Sequence, residues 1–295
     1  MYLLSSLGKV LVLVFLFATM LSIGLTTGRA QLRSLVGARS LVVRMLVANF
    51  VIVPLLGFAL SRLVPLPRES AGALILLACV PGGLSSIQYT SKIKGEKLLA
   101  GAILVLLNLL AVLVSPVLLR MTLPAGVEHT LPHVRVFGFI GLGILIPAGI
   151  GMFLGDKAPG VAPRLSKGLG FVSLLAFVAF VLVTKSFRKE ALASIGGLAA
   201  GVLLLFILAS MLIGWLMGGP TREKRQLLAT VTSMRGAALC LAIANATPSG
   251  AAVVTPLVAF SLLMVTPNTL LTVYSAIRAR IAAGRLKKSQ RGKDS

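Results

Sequence analysis

Pro81-Gly82-Gly83-Leu84-Ser85-Ser86-Ile87-Gln88-Tyr89-Thr90-Ser91 interrupts an apolar stretch that runs from residue 71 to 92. A second interruption, Ser233-Met234-Arg235-Gly236-Ala237-Ala238, breaks another apolar stretch further along the chain. A proline followed by paired glycines ends a helix and leaves backbone N–H and C=O groups without helical partners. Inside a bilayer such unwound backbone survives only where it is buried in protein or lines a cavity. Two interrupted hydrophobic segments at corresponding places in two halves of a chain point to the binding site of a transporter.

Composition supports a membrane setting for both breaks. Hydrophobic residues make up 57% of the 295, the mean hydropathy is +1.00, and charged residues are only 12%. That is about half the charge of an average soluble domain. The excess of 29 Lys+Arg over 7 Asp+Glu does not indicate nucleic acid, because the basic residues sit in short loops and a tail between apolar spans. They fit positive-inside topology and attraction to anionic lipid. Cys79 and Cys240 fall within apolar segments and read as small hydrophobes, with neither a disulfide framework nor a metal site expected. The apolar run 10–25 behind Lys9 reads as a first span rather than a cleaved signal, since no good small-residue cleavage site follows it.

A helix needs about 20 apolar residues to cross a bilayer. Nine spans are expected, near 9–26, 41–62, 71–92, 98–119, 136–154, 168–185, 191–218, 227–247 and 250–276. The fold class is therefore an all-α polytopic membrane protein, with residues 1–277 as the transmembrane domain and 278–295 as a mobile basic cytoplasmic tail. The loops on the side of the C-terminus, with the tail, carry 20 of the 29 Lys+Arg; the opposite side carries 8, and Arg235 belongs to neither. This asymmetry puts the C-terminus in the cytoplasm and, with an odd number of spans, the N-terminus outside the cell membrane.

The two halves echo each other. Ser115-Pro116 in the fourth span and Thr266-Pro267 in the ninth recur at an offset of 151, and each follows a break: Gly83 precedes its proline by 33 residues, Arg235 by 32. With nine spans, matching halves cross the membrane in opposite senses, which is the inverted-repeat plan of secondary transporters.

The candidate solute ligands gather at the breaks: Gly82, Gly83, Ser85, Ser86, Gln88 and Thr90 at the first, Arg235 at the second, and Asn268 after Pro267. Helix N-termini attract anions and freed carbonyls coordinate cations. Arg235 sits well inside the eighth span, and every Asp and Glu falls in a loop or the tail. Its partner is then either an anionic ligand or a set of backbone carbonyls. Asn49 and Asn108 are polar residues at depth; with Ser86 they are the candidates for an ion site. No carboxylate pair, Ser/His arrangement or metal cluster lies in the spans, so an enzyme is not expected.

Over nearly its full length the chain resembles the bile acid:sodium symporter family. The likeness rests on Pro81 to Ser86 with Lys94-Gly95-Glu96, on Ala48-Asn49-Phe50 with Pro54, on Met234 to Leu241, and on Asn268. It implies two discontinuous helices that cross in a core domain, with the solute beside the crossing. The core would be spans near 41–119 and 191–276, and a panel would be those near 9–26, 136–154 and 168–185. It also implies sodium coupling through a Ser-Asn pair, a glutamate and a Gln-Asn pair. Here Ser86 is followed by Ile87, Val231 stands at the glutamate position, and Arg235-Gly236 replaces the amides. A guanidinium repels sodium at low dielectric. The expectation is a carrier of a small organic anion, of carboxylate or sulfonate type, with no cofactor; these residues speak against sodium coupling, and sodium stays open as a coupling ion. The alternatives are a sodium-coupled symporter with relocated ligands, or a passive anion channel or uniporter.

Overall fold

The computed structural model describes residues 2–83, 86–90, 93, 97–122, 134–183, 193, 195–246 and 252–291, and all the regular elements among them are helical. In chain order they are α1 (Tyr2–Thr26), α2 (Arg29–Gly37), α3 (Arg39–Val47), a π-turn (Ala48–Ile52), α4 (Val53–Leu63), α5 (Arg68–Cys79), α6 (Ser86–Thr90), α7 (Lys97–Thr122) and α8 (Val134–Lys157). Then follow α9 (Ala162–Val183), α10 (Gly197–Met217), α11 (Arg222–Ser233), α12 (Ala237–Ala246), α13 (Val254–Leu263) and α14 (Val265–Arg291). Each expected span finds its helix. Arg39–Leu63, Ala162–Phe180, Gly197–Met217 and Val254–Arg278 are long and apolar enough to cross on their own. The third and eighth spans are each two short helices, α5/α6 and α11/α12, separated by extended backbone: Val80 has φ −112 and ψ 91, Met234 φ −89 and ψ 95.

The chain is built inside out relative to a soluble protein. Large apolar side chains such as Leu55, Phe153, Leu182 and Leu216 are exposed. Arg235 heads the fully buried side chains by volume. Lipid offers no hydrophobic drive between helices, so they associate through close packing of small residues and interhelical hydrogen bonds. The contact of α1 with α8 is of this kind. A Cβ on Gly24 would lie 2.3 Å from the Ala148 carbonyl oxygen, and one on Gly151 would lie 2.4 Å from that of Leu21. On its other side α1 meets α9 through the hydroxyl pairs Thr19–Ser173 and Ser22–Ser166, and through Phe15 against Phe177.

Two features depart from the sequence expectation. The loop after the first span holds the short helix α2, whose Leu35 packs on the apolar cluster around Met45, Ile103 and Leu228. The last span, expected to end near residue 276, continues as a helix to Arg291. Its Ala, Leu, Arg and Lys content favours that conformation.

Candidate functional site

The two breaks meet. The backbone N–H of Gly83 donates to the carbonyl of Met234 at 2.9 Å, and that of Gly236 donates to the carbonyl of Val80 at 3.0 Å. The extended residues thus pair reciprocally, like a fragment of a β-ladder held between four half-helices. Glycine is required at this contact. A Cβ on Gly83 would lie 2.4 Å from the Met234 oxygen, and one on Gly236 would meet Val80 Cγ1 at 2.8 Å. Gly82 turns the chain into the break with φ +81, a left-handed value that glycine adopts without strain.

Every carbonyl at the C-terminal end of α5 has a partner. Leu76 accepts from Val80 N–H at 3.1 Å, Leu77 from Arg235 Nε at 2.9 Å, and Ala78 from Arg235 Nη2. Cys79 accepts from the Ser115 hydroxyl at 2.7 Å, and Val80 from Gly236. Helix ends normally leave such groups to water or caps. Buried at membrane depth, these would cost about 1–3 kcal/mol each if left bare.

Arg235 is fully buried. Besides Leu77 and Ala78, it donates from Nη1 to Asn49 Oδ1 at 2.7 Å and from Nη2 to the Asn49 carbonyl at 3.4 Å. The π-turn explains why that carbonyl is free. Val53 N–H bonds the Ala48 carbonyl instead of that of Asn49. The next donor along would be residue 54, which is proline and has no N–H. Of the two partners the sequence left open for Arg235, carbonyls take four of its N–H bonds together with the Asn49 amide.

Three asparagines aim at the breaks by one device. Asn49, Asn108 and Asn268 each donate from Nδ2 to the carbonyl four residues earlier on their own helix, at 3.0, 2.8 and 2.8 Å. This back-bond fixes the rotamer. The rest of the amide then reaches outward: Asn49 Oδ1 to Arg235, Asn108 Nδ2 to the Gly82 carbonyl at 3.1 Å, and Asn268 Oδ1 to the Ser233 hydroxyl at 3.0 Å. Asn49 Nδ2 also reaches Thr232 Oγ1 at 3.3 Å.

On the far side of the break, Ser86 and Thr90 on α6 are fully buried. Helix α6 packs against α11 and α14. Thr90 Oγ1 bonds the Ser86 carbonyl at 3.0 Å. The hydroxyls of Ser86 and Thr230 are both buried without a hydrogen-bond partner. Ser85 lies outside the described residues; Gln88 is on α6, and its side chain is outside them. The structure therefore brings Gly82, Gly83, Arg235, Asn49 and Asn108 together around the crossing, with Ser86 on α6 and Asn268 on α14 beyond it. Sequence reasoning passed over Thr230, Thr232 and Ser233. The run of hydroxyls just before the second break was the signal for them. The matched Ser115-Pro116 and Thr266-Pro267 do different work: Ser115 caps Cys79, whereas Thr266 is exposed.

Among the described residues, no group of three or more His, Cys, Asp or Glu could hold a metal ion. A sequence model described as the Sodium Bile acid symporter family matches residues 13–195. Over 291 residues the chain is 27% identical to the uncharacterized sodium-dependent transporter YocS of Bacillus subtilis, covering 96% of this chain and 86% of that one. It is 27% identical over 175 residues to the hepatic sodium/bile acid cotransporter of Rattus norvegicus, covering 58% of this chain and 48% of that protein. A probable chloroplastic sodium/metabolite cotransporter of Oryza sativa, BASS1, is 25% identical over 156 residues, covering 53% of this chain and 38% of that protein.

Proposed function

Because the chain belongs to the sodium bile acid symporter family, a family of membrane transporters, we propose that it carries a small organic anion by alternating access, and that Arg235 makes this transport independent of sodium. The crossing is the hinge region and the solute binds on its α6 side. The observation that carries this reading is the fully buried guanidinium of Arg235 at the meeting of two broken helices, with no carboxylate bonded to it among the described residues. The site keeps a permanent positive charge, so an anion is drawn to it at low dielectric and a second cation is repelled. The solute's polar contacts are the partnerless hydroxyls of Ser86 and Thr230, then Thr90, Asn268 and the glycine backbone. Arg235 acts mainly through its field, because its hydrogen bonds are committed to oxygens of the protein.

Asn49 and Asn108 hold the crossing in shape in this reading, since their amides are engaged by Arg235 and Gly82. Core and panel move against each other. The support is that α1 packs chiefly along α8 and α9, while α10 packs along α11. The cell membrane, a cytoplasmic C-terminus and an inverted relation of the halves complete the proposal. Twelve-residue helices of the same length, α5 and α11, each begin Arg-Glu and end in extended backbone, as inverted halves would. The test is counterflow in proteoliposomes with a panel of labelled carboxylates and sulfonates. Saturable exchange of one class, lost in Ser86→Ala/Thr230→Val, supports the proposal. Exchange of neutral solutes or of inorganic anions alone overturns it.

A further inference from the structure

The oxygens around Arg235 have the chemistry of a cation site. The carbonyls of Leu77 and Ala78 lie at the C-terminal end of α5, where the helix dipole is negative. The Asn49 carbonyl is released by the π-turn and by Pro54. Asn49 Oδ1 is held by its back-bond to Met45. Two of these oxygens, from Ala78 and Asn49, converge on a single nitrogen, Nη2. All four are neutral. Such a set suits a monovalent cation better than a divalent one, whose sites usually include carboxylates. The oxygens come from two segments: the end of α5 at the first break, and Asn49 of the π-turn. The charge comes from the second break. The guanidinium thus ties together segments that would otherwise present bare carbonyls to one another.

We propose that these four oxygens form a binding site for a small monovalent cation, which Arg235 fills with its own tethered charge. Truncating Arg235 hands the site to a free ion. The variant becomes cation-dependent, whereas the wild-type protein is not. The inference deepens the sodium-free reading above and rests on it. The tethered charge is not exchangeable, so it holds the crossing assembled at all times and gives the ion no part in the transport cycle.

The experiment is thermal unfolding of purified protein in detergent, at constant ionic strength set with N-methylglucamine. Sodium, potassium or guanidinium at millimolar levels is then substituted. Wild type and Arg235→Lys unfold at a temperature independent of the cation. Arg235→Ala unfolds lower, and guanidinium or sodium raises it saturably by about 5 °C, as expected for a ligand that binds only the native state. Arg235→Gln, which keeps more of the side-chain volume, goes through the same arms. A folded Arg235→Ala or Arg235→Gln whose midpoint ignores every cation overturns the proposal. So does failure of both variants to fold in any of the cations. The two readings fail separately. A wild type that needs sodium for exchange sinks the sodium-free transporter whatever the variants do. Cation-blind variants sink the oxygen cage while sodium-free transport by the wild type stands.

Discussion

Replacing Gly83 with alanine strikes the crossing at its closest point. The added Cβ would lie 2.4 Å from the Met234 oxygen, 2.6 Å from the Arg235 oxygen and 2.7 Å from the Met234 carbonyl carbon. All three are backbone atoms, so no rotamer change relieves the clash. Ordinary contact begins at 3.4 Å, so the break must open by about 1 Å. The 2.9 Å bond from Gly83 N–H to Met234 then exceeds hydrogen-bond length, and the reciprocal bond from Gly236 to Val80 loosens with it. Two buried bonds lost at about 1–3 kcal/mol per exposed partner give a destabilisation of about 4 kcal/mol. For a chain of this size that lowers the unfolding midpoint by about 10 °C. Thermal unfolding in detergent measures it, and counterflow reports the accompanying loss of exchange. Gly236→Ala is milder, because its nearest neighbour is the Val80 side chain rather than backbone. Gly143→Ala, where a Cβ meets nothing within 4 Å, is the control: inside a helix it leaves the midpoint unchanged or raises it slightly, and exchange is unaffected. A Gly83→Ala protein that unfolds with the wild type and exchanges solute at full rate would refute the reciprocal pairing of the breaks.

Other substitutions test separate contacts. Asn108→Ala removes the donor to the Gly82 carbonyl, and Ser115→Ala bares that of Cys79; each lowers the midpoint by about 5 °C, through an unsatisfied buried oxygen worth about 1–3 kcal/mol. Unchanged midpoints would show that water or another group takes over. Ser86→Ala deletes a hydroxyl with no partner, so empty protein keeps or gains stability while solute affinity falls several-fold. Equal loss of both would mean that the hydroxyl is structural. Gly151→Val forces α8 away from the Leu21 carbonyl, and the variant loses stability without any change in solute selectivity. A selectivity change would put the α1–α8 contact in the solute path.

Much of the fold was legible because its signals are written in side chains. Apolar length marked the spans, Pro81-Gly82-Gly83 marked the first break, and a buried charge with glycine marked the second. The site was legible only in part. The groups that take up Arg235 are mostly carbonyls of Leu77, Ala78 and Asn49, and carbonyls carry no residue signature. The release of the Asn49 carbonyl depends on a π-turn followed by Pro54, and Pro54 alone does not announce that register. The sequence repeat Ser115-Pro116 and Thr266-Pro267 suggested equivalent kinks. Their side chains instead face different surroundings, one a buried helix end and the other the exterior. Helix α2 was missed because a nine-residue amphipathic segment has too few apolar residues to read as a span.

The central claim is that Arg235 stands permanently where a transported cation would otherwise be needed. Solute exchange by wild-type protein in proteoliposomes, with sodium replaced by N-methylglucamine on both sides, tests it most directly. The account predicts the same rate and the same apparent affinity with and without sodium. Exchange that disappears in the absence of sodium and returns saturably when it is restored would contradict it.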